Sequence, residues 1–182
     1  VAEGTTLAIV MEYVDGSDLR HRLREKGTLE PEEACLITAQ VAHGLDAIHR
    51  ARIVHRDVKP ANVLLGGDPA RPDVKLTDFG VARLTDANHT RTGLVLGTPA
   101  FMSPEQLLGT HIDGRSDLFS LGVTMYEAIE GSNPYRDGVR DAREMLHRTQ
   151  TVELPALARQ IGPNGSFADL IAAMTRARPD HR

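Results

Sequence analysis

His55-Arg56-Asp57-Val58-Lys59-Pro60-Ala61-Asn62, followed sixteen residues after Asn62 by Asp78-Phe79-Gly80, is the stretch on which the reading of this 182-residue chain turns. Asp57 and Asn62 stand five residues apart, with Lys59 between them. A charged loop alone reads as solvated surface, and Asp-Phe-Gly alone is a common tripeptide. Between the two lies Val63-Leu64-Leu65, too short for a helix and apolar enough for a small strand. Taken together, two carboxylates, an amide and an ammonium supply what phosphoryl transfer requires. One carboxylate orients the attacking hydroxyl, an amide and a carboxylate hold hard cations through oxygen, and a cation offsets charge on the moving group.

Upstream, Pro31-Glu32-Glu33 opens a long helix, because proline suits the first turn and acids favour the positive end of the helix dipole. Its apolar positions Ala34, Ile37, Val41, Leu45 and Ile48 step by three and four, which marks one buried face ending near Ala51. Ser17 and Asp18 are placed to cap a short helix running to Lys26, stopped by Gly27. The run Leu7-Ala8-Ile9-Val10-Met11-Glu12-Tyr13 suits a buried strand, bounded by a bend at Asp15-Gly16. Ile53-Val54 and Val74-Lys75-Leu76 read as further small strands, and a loop with Gly66, Gly67, Pro69 and Pro72 precedes the latter.

Downstream, residues 81–112 lack helical periodicity, and so long an irregular stretch is usually functional. Leu118 to Tyr126 is apolar nearly all round, as in a helix at the centre of a domain, and Gly131 ends it. A polar helix is expected near Val139 to Arg148. A last one starts at Ser166 with Asp169 as capping partner, and Phe167, Leu170, Ile171 and Met174 form its inner stripe. The fold class expected is mainly α with a few short β-strands, in one domain.

Composition narrows the function classes. Hydrophobic residues make up 41% and charged residues 25%, as in ordinary globular domains. A net charge of −4 gives no broad basic surface for nucleic acid. Cys35, the single cysteine, allows no internal disulfide and no cysteine metal cluster, and reads as a small buried apolar residue on a helix. No apolar run reaches the ~18 residues of a membrane span, and residues 1–6 are not a signal peptide, so the expected setting is cytoplasmic. Lysine occurs only at Lys26, Lys59 and Lys75, which limits the candidates for any lysine-dependent chemistry.

The two central motifs match, residue for residue, the catalytic loop and metal-binding motif of the protein kinases. Ser103-Pro104-Glu105 stands where that family usually has Ala-Pro-Glu, Asp117 to Gly122 resembles its buried central helix, and Arg182 matches the arginine that pairs with the Glu105 position. The whole chain, 1–182, thus resembles a partial protein kinase domain: hinge and C-terminal lobe, with 78–105 as activation segment and only the last strand of the N-terminal β lobe. The lysine two residues after Asp57 follows the serine/threonine pattern, and the Arg- and Ala-rich style resembles bacterial kinases of the eukaryotic type.

The resemblance implies roles. Asp57 is the implied catalytic base and Lys59 the contact to the γ-phosphate of ATP. Asn62 and Asp78 are the implied ligands of Mg²⁺ or Mn²⁺. Leu64 is the implied floor under adenine, Glu12 and Val14 the hinge, and Met11 the residue gating the deeper pocket. For Leu64 and Met11, core packing is an equal reading; for Asp18, ribose binding and helix capping are both open. His55 is implied to pack on Phe79 and to be anchored by Asp117, and no role is assigned to His49. Arg56 implies control by phosphorylation of the activation segment. Thr90 and Thr92 are the acceptors expected, modified by another copy of the kinase, and Thr98 positions substrate.

Some parts of the family pattern have no counterpart in the chain. Only ten residues precede Met11, with no lysine before Lys26, so no Gly-rich loop, strand lysine or partnering helix glutamate is present. The expectation is therefore a fragment: a parent enzyme that phosphorylates Ser/Thr of protein substrates, and an isolated chain with little activity and an apolar patch where the N-terminal lobe would dock. The competing readings are a non-catalytic, pseudokinase-like binding module and a small-molecule phosphotransferase. The latter usually lacks a Ser103-Pro104-Glu105 type motif.

Overall fold

The computed structural model describes residues 10–79, 99–158, 161 and 165–182. In chain order its elements are strand β1 (Gly16–Asp18), helix α1 (Leu19–Lys26), helix α2 (Pro31–Arg50), strands β2 (Val63–Asp68) and β3 (Arg71–Leu76), and helices α3 (Pro104–Leu108), α4 (Gly114–Glu130), α5 (Ala142–Thr151) and α6 (Ser166–Met174). Short 3-10 turns lie at Pro60–Asn62, Pro99–Phe101 and Pro179–His181. The fold is mainly helical with one small antiparallel sheet in the order β1-β2-β3.

Helix α4 organises the core. Leu121, Met125, Ala128 and Ile129 join Ile37, Val41 and Leu45 of α2, Val63 and Leu65 of β2, and Ile171 and Met174 of α6 in one buried cluster. Its other side, Phe119 and Val123, packs with Ala100, Phe101, Tyr135, Val139 and Met145. A helix between two clusters must be apolar around its circumference, as its sequence is. Gly122 permits the approach of α6: a Cβ there would lie 2.6 Å from Thr175 Cγ2 and 3.2 Å from Met174 Cβ. Gly131 closes α4 in the left-handed region at φ 70°, where a side chain would be strained, and its N–H returns to the Glu127 carbonyl.

Helix α1 begins at Asp18, whose carboxylate accepts from the His21 backbone N–H at 2.7 Å, and stops at Gly27, as expected. Several other elements depart from expectation. Residues 10–13 form no strand, with Val10 95% and Tyr13 84% exposed, because no described strand offers them a ladder partner. Ile53-Val54 is also not a strand: the Ile53 N–H turns back to the Ile48 carbonyl at 2.9 Å. Of the glycines and prolines expected in a loop over 66–72, Gly66, Gly67 and Pro72 lie in the arms of a hairpin, in which Gly67 pairs with Pro72 and Asp68 with Arg71, and only Pro69 lies in its turn. Proline is accepted there because β3 is an edge strand and needs no donor on its open side.

Helix α3 lies inside a stretch expected to be irregular. The Ser103 hydroxyl accepts from the Gln106 N–H at 3.3 Å while the Gln106 side chain accepts from the Ser103 N–H at 3.0 Å, a reciprocal capping box with Pro104 in the first turn. Helix α6 begins after Gly165 with no side-chain cap, so Asp169 does not act as capping partner, and Leu170, 46% exposed, stands outside the inner stripe of Phe167, Ile171 and Met174.

Candidate active site

The catalytic-loop residues sit between the end of α2 and the start of β2, on backbone fixed by a single buried carboxylate. Asp117, on the first turn of α4 and fully buried, accepts the backbone N–H of His55 at 2.8 Å on Oδ2 and that of Arg56 at 2.7 Å on Oδ1. His49 Nε2, from the last turn of α2, meets Oδ2 at 2.8 Å. Arg56 lies in the left-handed region at φ 66°, a conformation that costs a non-glycine residue about 1–3 kcal/mol. It is held from both sides, since its carbonyl accepts from Gln106 Nε2 of α3 at 2.8 Å.

This winding aims the next residues at one another. Lys59 Nζ donates to Asp57 Oδ2 at 2.7 Å. Asn62 Nδ2 donates to the same oxygen at 3.0 Å and to the Asp57 carbonyl at 2.8 Å. With its nitrogen turned to Asp57, the Asn62 amide presents its oxygen elsewhere. The hairpin then brings in the second carboxylate: Val63 pairs with Leu76 and the Thr77 N–H donates to the Asn62 carbonyl at 3.0 Å, so Asp78 emerges at the end of the sheet where Asn62 enters it. Asp78 is left-handed at φ 56°. His55, fully buried, stacks on Phe79 with ring centroids 5.0 Å apart and meets the Thr77 carbonyl through Nε2 at 3.1 Å. Burial pushes the His55 pKa down, against the pull of Asp117, so the ring is neutral at neutral pH.

On the sheet side, Val14, Asp18 and Leu64 line one cavity of about 470 Å³ together with Ser17 and His21. Asp18 caps α1 as described, so the capping reading of this residue holds whatever else it touches. Glu12 is engaged with Lys75 Nζ of β3 at 2.5 Å, a contact that raises the Lys75 pKa. Met11 is 62% exposed. Thr90, Thr92 and Thr98 fall outside the described residues.

A third group ties α3 to Arg182, the last residue of the sequence. Arg182 donates to Glu105 through Nη1 at 2.6 Å and Nη2 at 3.0 Å, and the Ser116 hydroxyl donates to the same carboxylate at 2.6 Å. Burial would raise the Glu105 pKa, but Arg182 and Ser116 outweigh it and hold it below the ordinary value. The guanidinium carbon also lies 4.8 Å from the centre of the Phe119 ring.

Among the described residues no cluster of three or more His, Cys, Asp or Glu is placed to hold a metal. Asn62 and Asp78 could instead hold magnesium as it is usually held, by one or two protein oxygens with phosphate and water completing the shell. Two contacts had no specific signal in the sequence: the bond from Gln106 to the loop and that from His49 to Asp117, which span 50 and 68 residues.

The protein kinase domain family matches residues 1–182. The chain is 44% identical over 154 residues to serine/threonine-protein kinase PkaA of Streptomyces coelicolor, covering 84% of this chain and 28% of that protein. It is 39% identical over 176 residues to serine/threonine-protein kinase PknL of Mycobacterium tuberculosis, covering 96% and 43%. Serine/threonine-protein kinase PknA of the same organism is 37% identical over 198 residues, covering 97% and 44%. The chain thus spans less than half the length of these bacterial relatives. It belongs to the protein kinase family, on the serine/threonine branch.

Proposed function

We propose that the protein to which this chain belongs transfers the γ-phosphate of ATP to serine or threonine hydroxyls of other proteins, and that the chain supplies its hinge, C-terminal lobe and activation segment (78–105). The observation that carries the reading is the Asp57 carboxylate, gripped at once by Lys59 and Asn62 on a loop wound by Asp117. Asp57 accepts the hydrogen of the substrate hydroxyl and turns its lone pair toward the phosphorus. Lys59, now paired with Asp57, exchanges part of that contact for the γ-phosphate as the hydroxyl arrives. Asn62 Oδ1 and Asp78 hold Mg²⁺, or Mn²⁺ in its place. When bound, the metal neutralises charge building on the phosphate oxygens.

Leu64 supports the adenine, the backbone of Glu12 and Val14 bonds its edge, and Asp18 reaches the ribose with the carboxylate oxygen not used by His21. The shared cavity of Val14, Asp18 and Leu64 supports this grouping. Arg56 receives a phosphate formed on Thr90 or Thr92 by a second copy of the kinase, and Thr98 helps seat the substrate. Phosphopeptide mapping of the active full-length protein tests this last step, which fails if both threonines are unmodified.

The decisive experiment compares the full-length kinase with its Asp57→Asn variant. The expected result is Mg²⁺-dependent labelling of a protein substrate that falls by about 10²–10⁴ in kcat in the variant, with unchanged thermal unfolding. Nucleotide binding without turnover in the unmodified protein would instead favour a pseudokinase-like binding module.

A further inference from the structure

A second cavity, also of about 470 Å³, is lined in part by Lys59, and its charges are unbalanced. Arg20 and Arg24 of α1, Lys59 of the catalytic loop, and Arg136 after α4 line it; its one acidic residue is Glu127. That carboxylate is already spent. It accepts from Arg136 Nη1 at 3.1 Å on each oxygen and from Asn133 Nδ2 at 2.9 Å. Lys59 is matched by Asp57. Arg20 and Arg24 are exposed, stand one helical turn apart on the same face, and have no side-chain hydrogen bond or ion pair among the described residues. Like charges so spaced repel, and an anion between them would relieve both. Leu23, Pro60, Ala61 and Phe101 also line the cavity and give the stem of an entering side chain apolar contact.

We propose that this cavity takes an acidic side chain of the protein substrate, a glutamate or aspartate within a few residues of the phosphorylated hydroxyl, and so selects acidic sequences. The inference rests on the phosphotransfer reading above, because Lys59 both lines the cavity and bonds Asp57, and a hydroxyl at Asp57 brings its neighbours in sequence beside it. Glu127 is shared with Arg136 and Asn133, so the balance of charge lining the cavity stays positive.

The test uses the full-length kinase and four peptides sharing one threonine, flanked by alanines, glutamates, lysines or phosphoserines. The glutamate peptide should exceed the alanine peptide by about tenfold in kcat/KM, mostly through KM, a difference set by one charge-assisted contact. Arg20→Glu combined with Arg24→Glu should erase that preference and favour the lysine peptide, while turnover of the alanine peptide stays unchanged. A phosphoserine peptide far better than the glutamate peptide would overturn the carboxylate assignment in favour of a previously phosphorylated substrate. Equal kcat/KM for the alanine, glutamate and lysine peptides, or no response to charge reversal, would overturn the pocket. Fluorescence anisotropy of the same labelled peptides separates this from the phosphotransfer reading. If no peptide is phosphorylated, selective binding of the glutamate peptide that the double variant abolishes still supports the pocket, and its absence refutes it.

Discussion

Glu105 shows how one side chain couples burial, pairing and pH. It is nearly buried, and with Arg182 and Ser116 in contact its pKa lies below the ordinary 4.5. A carboxyl depressed in the folded state binds fewer protons there than when unfolded, so its stabilisation is complete above about 4.5 and disappears as pH falls through the lower folded value. His55 acts in the same direction at higher pH: its buried ring resists protonation, so its contribution is present above about 6.5 and declines as pH drops through its lowered pKa. Urea unfolding between about pH 7 and about pH 3 should therefore show stability declining toward acid. Glu105→Gln should flatten only the part below about pH 4.5; a difference curve without pH dependence there would remove Glu105 as the cause. The sequence disclosed the pairing of Glu105 with Arg182 and the grouping of Asp57, Lys59 and Asn62, because family pattern and short spacing carry them. It did not disclose His49 on Asp117 or Gln106 on the Arg56 carbonyl, which depend on how distant helices meet.

Among the described residues, α4 carries the one buried side-chain nitrogen or oxygen without a hydrogen-bond partner. The Thr124 hydroxyl is buried with no hydrogen-bond partner among the described residues, while Ser120, one turn earlier, bonds the Ser116 carbonyl at 3.2 Å. Thr124→Val keeps the shape and removes the orphaned oxygen, so denaturant unfolding should register a gain of about 1 kcal/mol. A loss of similar size would mean that the hydroxyl has a partner after all. The sequence made α2 and α4 legible because each repeats its apolar pattern over several turns, with Gly131 as a stop for the second. It misrepresented 66–72, where glycine and proline belong to an edge hairpin. It also hid α3, whose five residues are too few for periodicity but whose Ser103-Pro104-Glu105-Gln106 start is a capping signal in plain view.

Across the whole molecule, the site is assembled where three supports meet: the end of α2, the hairpin of β2 and β3, and the first turn of α4. The helical core and its small sheet follow from the apolar pattern, whereas residues 10–13 are exposed, since a run of β-forming residues becomes a strand only where a sheet receives it. Among the described residues no helix is long and apolar enough to cross a membrane. Asp117 links the core to the chemistry, because it belongs to the most deeply packed helix yet spends both oxygens on a stretch without regular secondary structure. Irregular segments normally trade their amide protons with solvent through small local openings, but here such an opening would strand a buried carboxylate without its donors. In deuterium oxide, the amides of His55 and Arg56 should be replaced as slowly as those in the middle of α4, on the timescale of global unfolding, and Asp117→Asn should release them by orders of magnitude while the α4 amides change far less. Rapid labelling of these two positions in the unaltered protein would mean that the catalytic loop breathes independently of the core.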